Sequence, residues 1–379
     1  MGGDWLAGLR HRAALRARAG LTRTLRPRSA GDAVIDLAGN DYLGLSRHPT
    51  VLAAAAEALR GYGLGATGSR LVRGSTDAHA ALERELADLI GQPAALVYSS
   101  GYLANLGAIR ALVGPRARIV SDAHAHASLI DGCRISRAEV VVTPHASVPA
   151  VRSALAGAAG RPAIVVTESI FSVDGDLAPL AELHEACLAH DAILLVDDAH
   201  ALGVLGPSGG GGVAAAGLAG AENLVVTATL SKSVGAAGGV IAGPEPLITH
   251  LVDTGRTFIY DTAPPPAVVA GARAALTLLR DGDGLRAELA DRAAHAVEVL
   301  RGAGFEVSEP AGGVISVTAP GPQEAVAWAA ECASHGVAVG CFRPPSTPDT
   351  RSRLRLTVNA GIPRDDFDHA LSVITKAAP

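Results

Sequence analysis

Ile193-Leu194-Leu195-Val196-Asp197-Asp198-Ala199-His200 is a run of four large apolar residues that ends in two carboxylates. So short a run, apolar throughout, reads as a strand buried on both faces. Runs of the same kind stand at 94–98, 118–120, 140–142 and 163–166 before it and at 224–226 and 239–241 after it, with helical or loop segments between. Seven such strands alternating with helices predict an α/β fold, a mainly parallel sheet covered by helices. Ligands of such sheets bind beyond the carboxyl ends of the strands. The residues that close each run therefore carry the functional information.

Asp197 closes its run directly, and a carboxylate there is costly unless it meets a cation or hydrogen-bond donors. It either faces a charged ligand atom or caps the turn that follows. Side chains alternate along a strand, so Asp198 is expected to point the other way. The run at 163–166 leads into Thr167-Glu168 and on to Asp174-Gly175-Asp176, and the run at 224–226 leads to Thr229-Leu230-Ser231-Lys232. Lys232 is the only lysine before Lys376, and arginine supplies 30 of the 32 basic residues. Arginine keeps its proton in proteins, whereas lysine can lose it and act as an amine nucleophile. His200 follows Asp197 by three residues, and His126 stands in Ser121-Asp122-Ala123-His124-Ala125-His126, where His124 reads as an ordinary polar residue. The segment 98–105 leaves a strand, passes Gly101 and opens a helix, a place where free backbone N–H groups cap the helix or cradle a phosphate. A nucleophilic lysine, a strand-end acid, ring-packing histidines and a phosphate cradle are what pyridoxal 5′-phosphate requires.

Elsewhere the sequence narrows the class. A chain of 379 residues that is 49% hydrophobic can bury a large core, and a formal charge of −5 offers no basic field for nucleic acid. Cys133, Cys187, Cys332 and Cys341 form no C-x-x-C pair and no zinc spacing with histidine, so a reduced, cytoplasmic protein without a metal is expected. No apolar run is long enough for a transmembrane helix. The arginine-rich stretch 10–28 lacks the serine content of an organellar presequence and reads as an N-terminal helix and arm. Gly63-Leu64-Gly65-Ala66-Thr67-Gly68 fits G-x-G-x-x-G formally, but it follows a helical segment rather than a strand, which argues against a dinucleotide site. Past Ala263-Pro264-Pro265-Pro266 comes a helical stretch, 267–301, interrupted at 281–284. Predicted strands at 305–307, 314–317, 337–339 and 354–358 then make a smaller α+β unit. The expected division is residues 1–45 as helix and arm, 46–262 as the large α/β domain, and 263–379 as linking helix and C-terminal domain.

Read in order, further stretches join these: Asn40-Asp41-Tyr42-Leu43-Gly44-Leu45, Ser99-Ser100-Gly101-Tyr102, His126-Ala127-Ser128-Leu129, Phe342-Arg343-Pro344-Pro345 and Arg353-Leu354-Arg355-Leu356. In order and spacing the set resembles the α-oxoamine synthase family of fold-type I pyridoxal-phosphate enzymes, along nearly the whole chain. That resemblance implies Lys232 as the Schiff-base lysine, Asp197 against the pyridine nitrogen and His126 stacked on the ring. His200 and Ser172 would approach the phenolic oxygen, with Glu168 also at the cofactor. Gly101, Tyr102 and Thr229 would hold the phosphate, and Thr262 that of the neighbouring subunit in a homodimer with interfacial active sites. Arg343 and Arg355 are the implied partners of the substrate carboxylate, with Asn40 and Ser346 beside them. Arg23 matches a further substrate-binding arginine, for which Arg26 and Arg28 are alternative alignments. Three departures are Ala201 for a common glycine, Leu230-Ser231 for Phe-Gly, and Ser346 for threonine; none removes a reacting group. The implied reaction is decarboxylative condensation of L-alanine with a pimeloyl thioester, on CoA or acyl carrier protein, in biotin biosynthesis. Glycine with acetyl-CoA and other amino acid and acyl-CoA pairs are the alternatives within the family.

Overall fold

A computed structural model describes residues 5–344, 346–347 and 349–379; Pro345, which ends one of the stretches quoted above, lies outside the described residues. Eleven strands are present among them. In chain order these are β1 Ile35–Leu37, β2 Ala94–Tyr98, β3 Arg118–Asp122, β4 Glu139–Thr143, β5 Ala163–Glu168, β6 Ile193–Asp197, β7 Leu224–Thr229, β8 Gly239–Gly243, β9 Val314–Ala319, β10 Val337–Phe342 and β11 Ser352–Thr357. All seven apolar runs of the first part are strands of one sheet, in the order β2-β8-β7-β6-β5-β3-β4. The pairs among β3 to β7 are parallel, and β8 alone runs antiparallel, to both β2 and β7.

Burial follows position in the sheet. Every residue of β5 and β7 is buried, as continuous apolar runs require. At β4 the expectation of two buried faces fails, because that strand is the sheet edge: Val142 remains 63% exposed. Register then brings the strand ends together. Glu168 pairs with Asp197 across β5 and β6, while both Thr229 and Tyr98 pair with Gly239. The close fit at this end needs glycine: a Cβ on Gly239 would lie 2.3 Å from the Ser100 carbonyl oxygen.

The second sheet has the order β1-β10-β11-β9, antiparallel except for β1 with β10, so a strand from the N-terminal arm closes the edge of a sheet built by the last third of the chain. The predicted strand at 305–307 is reduced to a bridge between Val307 and Val317, the Val307 carbonyl accepting instead from Arg301 at 3.1 Å. The interrupted helical stretch is two helices, Pro266–Arg280 and Asp283–Gly302. The first packs on helices Pro49–Tyr62 and Asp77–Ile90. Pro49–Tyr62 precedes the glycine-rich 63–68, which is therefore no strand-to-helix phosphate loop. Among the described residues no helix is long and apolar enough to cross a membrane.

Candidate active site

The carboxyl ends of the central strands open into a cavity of about 310 Å³. Eight of the residues singled out in the sequence line it: Gly101, Tyr102, His126 and Glu168 from the first half, and Asp197, His200, Thr229 and Lys232 from the second. A wider groove of about 710 Å³ between helices Pro49–Tyr62, Asp77–Ile90 and Pro266–Arg280 has none of these groups in its walls.

Lys232 is half-buried in the turn that joins β7 to β8. Gly235, with φ of 67°, makes that turn; a Cβ there would lie 2.4 Å from the Ser46 backbone nitrogen. Burial pushes the Lys232 amine down to about 8 from 10.5, against the opposing pull of Asp197 and Glu168. Such an amine exchanges its proton near neutral pH. Glu168 is buried beside Asp197, and desolvation together with that neighbouring charge raises it well above the usual carboxylate range. One of its oxygens accepts from the Ser172 N–H at 3.1 Å, and the other, Oε1, has no hydrogen-bond partner among the described residues. A buried polar atom without a partner, in the wall of a cavity, is where a ligand's polar group belongs.

Asp197 accepts from the Ala199 N–H at 3.0 Å and from Asn105 Nδ2 at 2.7 Å. Asp198 turns to the opposite side, where it accepts from Ser169 and from the Gly212 N–H at 2.9 Å, and burial raises it to about 6. His126 caps the helix Ala127–Ser136, its Nδ1 accepting from the Ser128 N–H at 3.2 Å. Burial lowers its basicity. His124 stacks on His145 at 3.8 Å, outside the cavity wall. His200 Nδ1 lies 2.5 Å from the Tyr42 hydroxyl. Burial drives the Tyr42 phenol up to about 12 and the His200 imidazolium well below its ordinary range, so a neutral phenol and a neutral ring share this hydrogen bond.

At the helix Gly101–Leu112, Ser100 Oγ accepts from the Leu103 N–H at 3.2 Å. The N–H groups of Gly101 and Tyr102 have no intrahelical acceptor and belong to cavity-lining residues. A Cβ on Gly101 would lie 3.0 Å from the Thr229 Cβ, so glycine lets the helix start approach β7 this closely without displacing its neighbour. This N-terminus, with the Thr229 and Ser231 hydroxyls 2.8 Å apart, fits an anion.

The remaining predicted residues sit outside the cavity wall. Ser172 ties it to Arg355: its carbonyl accepts from Arg355 Nε at 2.7 Å. Arg355 is 4% exposed and donates further to Asn40 Oδ1 at 3.1 and 3.2 Å. Arg343 is engaged elsewhere, donating to the carbonyls of Gly20 and Thr22, while Arg23 donates to Ser346 Oγ at 2.8 Å. The arm is thereby laced to the loop after β10. Arg28 lies 3.9 Å from Asp36. Thr262 is exposed and bridges to Ser69; its neighbour Asp261 accepts from Ser99 of the cavity wall. Two residues of the site carry no signal of their own in the sequence: Tyr42, half-hidden in a quoted stretch, and Asn105, an ordinary helical asparagine.

The family described as aminotransferase class I and II matches residues 32–374. An 8-amino-7-oxononanoate synthase of Mycolicibacterium smegmatis is 52% identical over 372 residues, covering 98% of this chain and 95% of its own length. A protein of the same name from Mycolicibacterium vanbaalenii is 51% identical over 362 residues, covering 95% and 94%. Among solved structures, serine palmitoyltransferase from S. paucimobilis with a bound PLP–myriocin aldimine superposes with a TM-score of 0.91 at 30% identity, covering 98% of this chain and 96% of that one. A crystal structure of 8-amino-7-oxononanoate synthase from Francisella tularensis superposes with a TM-score of 0.78 at 28% identity, covering 91% and 98%.

Proposed function

The chain belongs to the class I and II aminotransferase family, and from that premise we propose that it condenses L-alanine with a pimeloyl thioester, giving 8-amino-7-oxononanoate, carbon dioxide and the free thiol. The observation that carries this reading is Lys232, the only lysine before Lys376, held with a lowered basicity in one cavity with two strand-end carboxylates, in a chain half identical to synthases of that name. Pyridoxal 5′-phosphate, when bound, supplies an electron sink for negative charge developing on the alanine Cα.

The chain's own residues do the rest. Lys232 would hold the cofactor through its amine and would serve as the general base toward the alanine Cα proton. An amine titrating near 8 suits both duties. Asp197 would balance the proton on the pyridine nitrogen, and His126 would pack on the ring. The neutral His200, ordered by Tyr42, would meet the phenolic oxygen together with Ser172, and the free Glu168 Oε1 would take a polar group of the ligand. Gly101, Tyr102 and Thr229 would hold the phosphate, joined by Thr262 from a second subunit. Arg355, kept in place by Ser172 and Asn40, is the cation available to a substrate carboxylate. Arg343, Ser346 and Arg23 would form the wall along which the acyl chain enters.

A homodimer is part of the proposal. Leu64, Val72 and Tyr260 are 83%, 82% and 72% exposed, on the segments next to Ser69 and Thr262, and a second copy would cover them. The three-part division at 46 and 263 and a cytoplasmic location, in keeping with four free cysteines, complete it. Borohydride reduction of the protein loaded with pyridoxal phosphate tests the premise: the label is expected on Lys232. Lys232→Ala is expected to lose the label and turnover with its circular dichroism unchanged, and a fully active alanine variant would refute the assignment.

A further inference from the structure

Asn105 lies one helical turn beyond Gly101, 3% exposed, where four elements meet. Resting on the cofactor reading above, we propose that Asn105 is a positioning residue: its carboxamide holds the Asp197 carboxylate and, through Ser128, the His126 ring in one fixed arrangement facing the cofactor's pyridine ring. The amide is used at every turn. Oδ1 accepts from the Thr227 hydroxyl at 2.5 Å, and Nδ2 donates to Asp197 Oδ2 at 2.7 Å and to Ser128 Oγ at 2.8 Å.

The Asp197 carboxylate decides which way the amide faces. The opposite orientation would set Oδ1 against the carboxylate, acceptor against acceptor. Ser128 Oγ, having accepted from Asn105, keeps its own proton to donate, and His126 Nδ1 stands 2.7 Å away. The Ser128 N–H reaches the same nitrogen at 3.2 Å. Two donors on Nδ1 leave the neutral ring with its proton on Nε2. Thr227, Asn105 and Ser128 are all nearly inaccessible, so each deletion takes a protein partner from a buried polar group. Asp197 and His126 are thereby not independent: one carboxamide orders both, from β7, β6 and two helices.

The test compares wild type with Asn105→Ala, Ser128→Ala, Asn105→Ala/Ser128→Ala and the near-isosteric Thr227→Val. Two quantities are read: the dissociation constant for pyridoxal phosphate, by absorbance titration, and the ring ¹⁵N signals of His126 in cofactor-free, histidine-labelled protein, identified by their loss in His126→Gln. Removing a hydrogen bond to a buried charged group should weaken cofactor binding by about 10- to 100-fold in Asn105→Ala. Thr227→Val should weaken it in the same sense by less. The Nδ1 signal should move in the same direction in Asn105→Ala and Ser128→Ala, and the double variant should go no further than the larger single effect. Were Asn105 only a filler of space, the variants would melt lower yet bind cofactor as tightly as wild type and leave the His126 signals in place; that result overturns the proposal. Should Asn105→Ala fail to fold, Thr227→Val gives the same two readings. A wild type that binds no pyridoxal phosphate would sink the functional reading, while the His126 signals would still decide for or against the Asn105 link.

Discussion

Replacing Lys232 by methionine in the cofactor-free protein should change the pH dependence of stability in a calculable way. Burial lowers the Lys232 amine from 10.5 to about 8, so at pH 7 the folded protein carries a charged amine in surroundings that disfavour it. At about 1.4 kcal/mol per pH unit, that fall corresponds to about 3 kcal/mol. Between pH 8 and 10.5 the unfolded chain still holds a proton that the folded one has lost, so this group makes stability rise with pH across that window. Below about 8 the penalty is present in full; above 10.5 it is gone. Other groups titrate there too. Burial raises Cys133 to about 11, Cys187 to about 12 and Tyr42 to about 12, each of which makes stability fall with rising pH. These terms are common to both proteins and cancel in the difference. Urea unfolding of wild type and Lys232→Met, freed of cofactor, should give a stability difference that climbs in favour of wild type by about 3 kcal/mol across the window. A difference that is flat, or that falls, refutes the claim that this lysine is held against its charge.

Other positions give shorter tests. Arg355→Lys keeps the charge but loses the fork that serves Ser172 and Asn40 together, so KM for L-alanine should rise at least about 10-fold in steady-state assays while the fold is retained. Gly235→Ala forces a side chain into a left-handed turn against Ser46; a loss of about 1–3 kcal/mol is expected, seen as a lower melting temperature and poorer cofactor retention. His145 is bound by Asp122 and Asp176 at 2.9 and 2.8 Å; burial opposes its charge, but these partners raise it to about 9 from 6.5. Its contribution is complete below 6.5 and lost on rising through about 9, so His145→Gln should melt lower than wild type in mild acid, with the gap narrowing between pH 6.5 and about 9 and closed above it.

The strands and the residues that end them were legible because both rest on local chemistry. Continuous apolar runs have few other uses, and carboxylates or a lone lysine at their ends are costly without a ligand. Asp197 and Lys232 thus stand out singly, Glu168 enters through the resemblance, and their shared cavity follows from the parallel order of the sheet. Asn105 and Tyr42 did not stand out. Asparagine and tyrosine are unremarkable in helices and loops, and what gives these two meaning lies far along the chain: Asp197 is 92 residues from Asn105, and His200 is 158 from Tyr42. Arg343 shows the converse. The resemblance implies a carboxylate partner for it, and the fold adds contacts that its own stretch does not show: the arm folds back onto it and supplies the carbonyls of Gly20 and Thr22. The run at 140–142 was apolar enough for an interior strand yet forms the sheet edge, since composition does not reveal which strand ends up last in the order.

Substrate choice tests the account most directly. Purified protein loaded with pyridoxal phosphate would be given L-alanine, glycine or L-serine, each with pimeloyl, acetyl, succinyl or palmitoyl thioesters, and thiol release and carbon dioxide from carboxyl-labelled amino acid would be followed together. The account predicts equal release of thiol and labelled carbon dioxide with L-alanine and the pimeloyl thioester, at a kcat/KM well above every other pair. Comparable turnover of glycine with acetyl-CoA or of serine with the palmitoyl thioester, or thiol release that does not depend on alanine, would contradict it.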